Sequence, residues 1–143
     1  DMRITDVLRG KGDLVVTITP DQPVSALLDA LAEHRVGALV VSPDGTEVVG
    51  IVSERDVVRG LQAKGAALLD QTVKSIMTAE VHTCAPDTTV ADLMLLMTER
   101  RIRHVPVIVD GRMTGIVSIG DVVKHRIGDL QSERDHLTAY ITG

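Results

Sequence analysis

Apolar positions along this chain switch between two rhythms. Val24, Leu27, Leu28 and Leu31 follow the i, i+3, i+4, i+7 spacing of a helix with one buried face, and Val90, Leu93, Met94 and Met97 repeat it. Around each helix lie short β-prone runs: residues 14–18 and 81–84 before, 36–41 and 102–109 after, then 48–52 and 113–117. Asp21 and Asp87 stand ahead of the helices as expected N-terminal caps. Asp44-Gly45 and Asp110-Gly111 separate the last two strands of each set as hairpin turns. A second helix begins near Ser53 and Ser118, directly at the strand end. The predicted order is β-α-β-β-α, twice.

The two sets are copies of one unit. Gly50-Ile51-Val52-Ser53-Glu54-Arg55-Asp56-Val57-Val58 recurs as Gly115-Ile116-Val117-Ser118-Ile119-Gly120-Asp121-Val122-Val123, identical at seven of nine positions. Pro20 and Pro86 lie 66 apart but Gly50 and Gly115 only 65, so the copies differ by one residue, which falls in the Asp-Gly turn. Repeated supersecondary units bury their apolar faces against one another, and two copies predict one pseudo-symmetric α/β (α+β) domain. Residues 1–71 form the first repeat with its lead-in and a linker over 60–71, and residues 72–127 the second. Val73-Lys74-Ser75-Ile76-Met77 matches Thr5-Asp6-Val7-Leu8 as a short lead-in helix to each copy. Residues 128–143 form a C-terminal helix whose Leu130, Leu137 and Ile141 call for a partner surface.

Composition narrows the chemistry. The 143 residues suit one domain with a real core. They include no Trp, no Phe and a single tyrosine, Tyr140, so a flat ligand must be held by aliphatic side chains and backbone. The absence of a stacking platform and the net charge of -5 argue against nucleic acid as a partner. Cys84 is the only cysteine, and no apolar run approaches the roughly 18 residues of a membrane span. We expect a cytoplasmic protein without a membrane partner. Asp1 ahead of Met2 reads as an added residue.

At the repeated Gly-aliphatic-Val-Ser-x-x-Asp junctions, and in the stretch from Met97 to Val107, the chain resembles the CBS-domain pair (Bateman module) family, in particular its small stand-alone members. The resemblance covers residues 4–127. It implies two sheets packed as a pseudo-two-fold module, two clefts for adenosine-containing ligands, and pairing into a flat homodimer. It also implies that Ser53 and Ser118 lie near a phosphate and Asp56 and Asp121 on the ribose hydroxyls. Further expected contacts are Gly37 and Ala38 in the first copy, Arg103 and His104 in the second, and Met77, Thr78 and Ala79 from the lead-in segment. Arg55 in one copy and Ile119 and Gly120 in the other complete the two motifs.

The chemistry of the junction agrees with those roles, because a helix N-terminus favours an anion and a carboxylate can accept two hydrogen bonds from a vicinal diol. Ser-x-x-Asp is equally a capping box, in which the Ser caps the helix and the acid bonds back to the Ser N–H. The motif leaves both readings open. Small Gly37 and Ala38 leave room for an adenine, whereas Arg103, His104 and Arg55 can reach a phosphate. Arg100 and Arg101 fit a helix C-terminus, where cations complement the dipole. His82 and Cys84, with no third ligand in view, make a poor zinc site, and Cys84 reads as a buried, inert thiol. His34, His125 and His136 are expected to face solvent.

Two functions from different classes follow. One is a regulatory sensor of an adenosine nucleotide, AMP first and ADP, ATP, NAD or S-adenosylmethionine as alternatives, that passes its ligand state to a partner protein. It needs no obligatory cofactor. The other is a ligand-free dimerisation or interaction module. Catalysis is disfavoured: although CBS pairs occur inserted in inosine-monophosphate dehydrogenases, the chain is too short for a catalytic barrel of about 250 residues and shows no nucleophile-base pair or Gly-rich phosphate loop.

Overall fold

A computed structural model describes residues 2–11 and 15–142. The elements run α1 (Ile4–Leu8), β1 (Thr17–Ile18), α2 (Val24–His34), β2 (Ala38–Val41), β3 (Gly50–Ser53), α3 (Glu54–Lys64), a 3-10 turn (Gly65–Asp70), α4 (Val73–Ile76), α5 (Val90–Arg100), β4 (His104–Val109), β5 (Arg112–Ser118) and α6 (Ile119–Thr142). Copy one thus folds in the expected order, and copy two does so without a regular first strand. In the first, β1 pairs parallel with β2 and β2 antiparallel with β3; in the second, β4 pairs antiparallel with β5.

Several boundaries differ from the sequence expectation. The first strand of copy two shrinks to a single parallel bridge, Cys84 to Val107, while that of copy one keeps Thr17 and Ile18; Asp1 and Leu14 lie outside the described residues. Helices α2 and α5 start later than Asp21 and Asp87 require: Pro23 and Thr89 hold the N-cap positions, and the Thr89 hydroxyl accepts the Asp92 N–H. The expected linker over 60–71 is mostly ordered, because α3 runs on to Lys64 and the 3-10 turn carries Leu68 back into the core. Gly60 makes room for it, since a Cβ there would stand 2.7 Å from Leu68. The C-terminal helix is the unbroken continuation of α6 across Gly128.

The helix stripes are buried at Val24, Leu27 and Leu31 and at Val90, Leu93 and Met97, but their fourth members, Leu28 and Met94, are exposed. Both helices close on an arginine in the left-handed region, Arg35 and Arg101, each with φ 54°. Asp110 (φ 52°) and Gly111 (φ 77°) make the tight second turn. The longer first turn is organised instead by Asp44, whose carboxylate accepts the Thr46 and Glu47 N–H groups.

The lead-in segments cross over. Ile4 and Val7 of α1 are buried in the core of copy two, whereas Leu68 and Val73 from the inter-copy segment are buried in that of copy one. Backbone bonds fix both crossings: Ile4 N–H to Thr88 O (2.9 Å) and Val90 N–H to Met2 O (2.9 Å), matched by Val73 N–H to Gln22 O (2.8 Å) and Val24 N–H to Gln71 O (2.8 Å). This matched exchange expresses the pseudo-two-fold relation and makes each core depend on chain from outside its own copy.

Candidate functional site

Each copy ends its sheet where a helix begins. Ser53 closes β3 in extended backbone (φ -129°, ψ 167°) and is the N-cap of α3. Its N–H donates to Asp56 Oδ2 at 2.8 Å, and its Oγ accepts the Asp56 N–H at 3.4 Å. Ser118 repeats the arrangement with Asp121, at 2.8 and 3.1 Å. Both motifs are therefore formed capping boxes, which satisfy helix donors that otherwise lack partners. Capping does not consume the carboxylates: among the described residues every hydrogen bond to the Asp56 and Asp121 carboxylates ends on Oδ2.

The neighbouring strand supplies the wall. Ala38 pairs with Ser53 and His104 with Ser118, and the first helical N–H of each helix is tied to the residue before that pair, Glu54 to Gly37 O and Ile119 to Arg103 O, both at 2.9 Å. Gly37 keeps its face low beneath the Glu54 carboxylate, which would lie 3.6 Å from a Cβ on Gly37. Ala38 is buried, while Arg55, Arg103, Ile119 and Gly120 are exposed around the junctions.

The structure places Met77, Thr78 and Ala79 beside the first junction. Thr78 exchanges two backbone bonds of 2.9 Å with Ile51, extending the sheet past β3, and Met77 lies over Gly50, where a Cβ would approach Sδ to 2.5 Å and Thr78 O to 3.0 Å. Exposed Ala79 follows at the rim. The second junction has a different edge, which sequence reasoning missed: Lys11 donates from Nζ to Ile116 O and to Asp121 Oδ2, both at 2.6 Å. A signal was available. Leu8 lies beside Gly115 as Met77 lies beside Gly50, so the correspondence that nominated Met77 to Ala79 ends one residue short of Lys11.

Charge distinguishes the clefts as well. Burial raises the Asp121 pKa, but the hydrogen bonds from Lys11 and the Ser118 N–H, with the Lys11 charge, more than offset it and leave the carboxyl below its ordinary value. His104 is held below the usual imidazole value by burial and then by Lys11, with Asp121 opposing. Its neutral ring presents one donor and one acceptor. Burial pushes the half-buried Cys84 thiol up to about 11, so it is poorly nucleophilic. Among the described residues no three His, Cys, Asp or Glu side chains group as metal ligands. His34 and His136 are exposed as expected, but His125 is partly buried, 3.8 Å from Asp129.

Two grooves lie away from these junctions. An apolar one of about 480 Å³ runs between α5 and α6, lined by Val90, Met94, Val122, Val123 and Ile127. Another, of about 650 Å³ and mixed in character, lies between α1 and α6 beside Asp6, Arg9, His125 and Asp129.

The CBS domain model matches residues 12–63 and 73–128, one match per copy. The chain belongs to the CBS-domain family. It is 40% identical over 148 residues to the mitochondrial CBS domain-containing protein CBSX3 of Arabidopsis thaliana, covering 98% of this chain and 72% of that relative. Among solved structures, the CBS-domain protein ATU1752 of Agrobacterium tumefaciens aligns with a TM-score of 0.83 at 44% identity, over 87% of this chain and 92% of that one. The CBS pair of MJ0100, solved in complex with 5'-methylthioadenosine and S-adenosylmethionine, shares the fold at a TM-score of 0.72 and 24% identity, over 86% of this chain and 98% of that one. The chain is thus a CBS pair of the regulatory, small-protein kind.

Proposed function

We propose that this CBS pair is a regulatory sensor that binds an adenosine nucleotide at its Ser-x-x-Asp junctions and passes its ligand state to a partner protein. AMP is the leading ligand, with ADP, ATP and NAD as alternatives. The observation that carries the reading is the repeated carboxylate: Asp56 and Asp121 are each fixed through Oδ2 by a serine N–H at the mouth of a strand-helix junction. A pre-positioned carboxylate with Oδ1 still available suits a ribose diol, and the helix N-terminus beside it suits a phosphate. That a pair of the same fold holds two adenosine compounds supports the ligand class. On this reading the chain is not itself a catalyst. It acts by binding one arrangement better than another, which shifts the equilibrium between them.

The second reading, a dimerisation module, also has an observation in its favour. Along α6, Val123, Ile127, Leu130, Leu137 and Ile141 form an exposed seam at alternating spacings of four and three, with Arg134 at the one polar position. That is a coiled-coil rhythm, and it continues the α5–α6 groove. We therefore read the protein as a homodimer through this face. The two readings are compatible.

Thermal unfolding against AMP, ADP, ATP, NAD and S-adenosylmethionine, repeated with Asp56→Ala and Asp121→Ala, tests the sensor. A ligand at 100 times its Kd adds about 2.7 kcal/mol, a midpoint shift of several degrees. A shift lost in one Asp variant identifies the occupied cleft. No shift with any ligand at millimolar concentration leaves the junctions as helix caps and the dimer as the function.

A further inference from the structure

Ile51 and Ile116 occupy the same place in the two copies, and each has its carbonyl satisfied from the chain that crosses over. For Ile51 the donor is a backbone group, Thr78 N–H at 2.9 Å. For Ile116 it is a side chain, the Lys11 ammonium at 2.6 Å. The ammonium also lies 2.6 Å from Asp121 Oδ2, the carboxylate that the preceding reading gives to the ribose. Among the described residues no cation stands on Asp56; its remaining bond at Oδ2 is from the Ser53 hydroxyl, at 3.2 Å. A strand edge is held by paired backbone bonds, but a lysine can leave by rotating its own stem. The Lys11 and Asp121 side chains are 30% and 23% exposed, so the pair lies at the surface of the cleft and its exchange with a ligand requires no opening of the core.

We infer that Lys11 is a latch on the second cleft, paired with Asp121 when the cleft is empty and transferred to the phosphate when a nucleotide places its ribose on Asp121. The inference rests on the adenosine reading above. A vicinal diol engages both carboxylate oxygens, so a nucleoside draws the latch off Oδ2 and leaves the ammonium only the Ile116 carbonyl, whereas a nucleotide gives the same ammonium a new anion. The second cleft therefore selects phosphorylated ligands through Lys11, and the first cleft has no such selector on its carboxylate among the described residues. The exposed Arg103 and the neutral His104 flank the same cleft but neither bonds to Asp121.

The test is calorimetric titration of adenosine and AMP into the Asp56→Ala protein, with the first cleft silenced, and into the same protein carrying Lys11→Met or Lys11→Arg. The ratio of AMP to adenosine affinity is expected to fall about tenfold in Lys11→Met, the worth of one charge-assisted hydrogen bond, with adenosine binding more tightly than before. Lys11→Arg is expected to restore the preference. An unchanged ratio in a folded Lys11→Met protein overturns the latch while leaving the sensor intact. So does a second cleft that stays empty in Lys11→Met while Asp56-dependent binding persists in the unmodified protein. Absence of binding in the unmodified protein and every variant overturns the adenosine reading itself, and the latch with it.

Discussion

The two copies carry the same Ser-x-x-Asp box to within a few tenths of an ångström, yet they close the cleft beside it by different means. Copy one uses main chain: Thr78 zips onto Ile51, and Met77 fills the notch at Gly50. Copy two uses the end of a lysine. A duplicated motif can thus retain its capping geometry while its edge is rewritten from outside the motif, in a segment that the opposite end of the chain supplies.

The strongest challenge to this comparison concerns the exchange itself. Ile4 is buried in copy two and Leu68 in copy one. Replacing either with Ala is expected to cost about 2–5 kcal/mol, and in both cases chemical denaturation should show one cooperative transition for the whole chain. Two separate transitions would break the picture of interdependent cores.

The glycine notches sharpen it next. In Gly50→Ala the new methyl meets the Thr78 carbonyl at 3.0 Å as well as Met77, so a loss of about 1–3 kcal/mol is expected. In Gly115→Ala the nearest atom is the Leu8 side chain at 3.5 Å, ordinary contact, and stability should change by no more than about 0.5 kcal/mol. Equal midpoint changes in thermal unfolding would show that the two edges are alike after all.

Smaller effects separate the carboxylates. Asp56→Ala removes a capping box and should cost about 1 kcal/mol; Asp121→Ala should cost that plus up to about 1 kcal/mol for the partly exposed Lys11 pair. Carbonyl NMR of Asp121 should show it titrating below the ordinary carboxylate range, and rising in Lys11→Met as burial is left less opposed. The sign for stability follows. A carboxyl depressed on folding contributes above its unfolded pKa of roughly 4 and loses that contribution as pH falls through the lower folded value. Asp44, held at about 2 by the Glu47 and Thr46 N–H groups, loses its contribution across the window from about 4 to about 2 in the same way.

Much of this architecture was readable from spacing, because the Gly-aliphatic-Val-Ser-x-x-Asp repeat marks two equivalent strand-helix junctions and the aliphatic stripes mark two equivalent helices. What spacing does not carry is partnership. Nothing at Ile4 says that it is buried against the second copy, since that follows only when the chain folds back. Leu28 and Met94 match their stripe as well as their neighbours do, yet a stripe has no label for its outermost member. Gly128 resembles a boundary, but a glycine ends a helix when its backbone turns over, as Gly65 does at φ 64°; mid-helix it costs about 1 kcal/mol, which the surrounding turns of α6 absorb. Asp21 and Asp87 were sound cap types placed too early. For Lys11 the lead-in correspondence stops one residue short, and its two partners lie more than a hundred residues away.

That crossing also sets a schedule for synthesis. Arg3 meets Asp87 84 residues downstream, and a ribosome adding about 5–20 residues per second needs about 4–17 seconds to supply that partner. Throughout that interval Ile4 and Val7 lack the core that will cover them, and the first copy still lacks Leu68 and Val73 for part of it. The nascent chain therefore has a waiting period in which Ile4 and Val7 are uncovered, and neither copy is complete until the other is well under way.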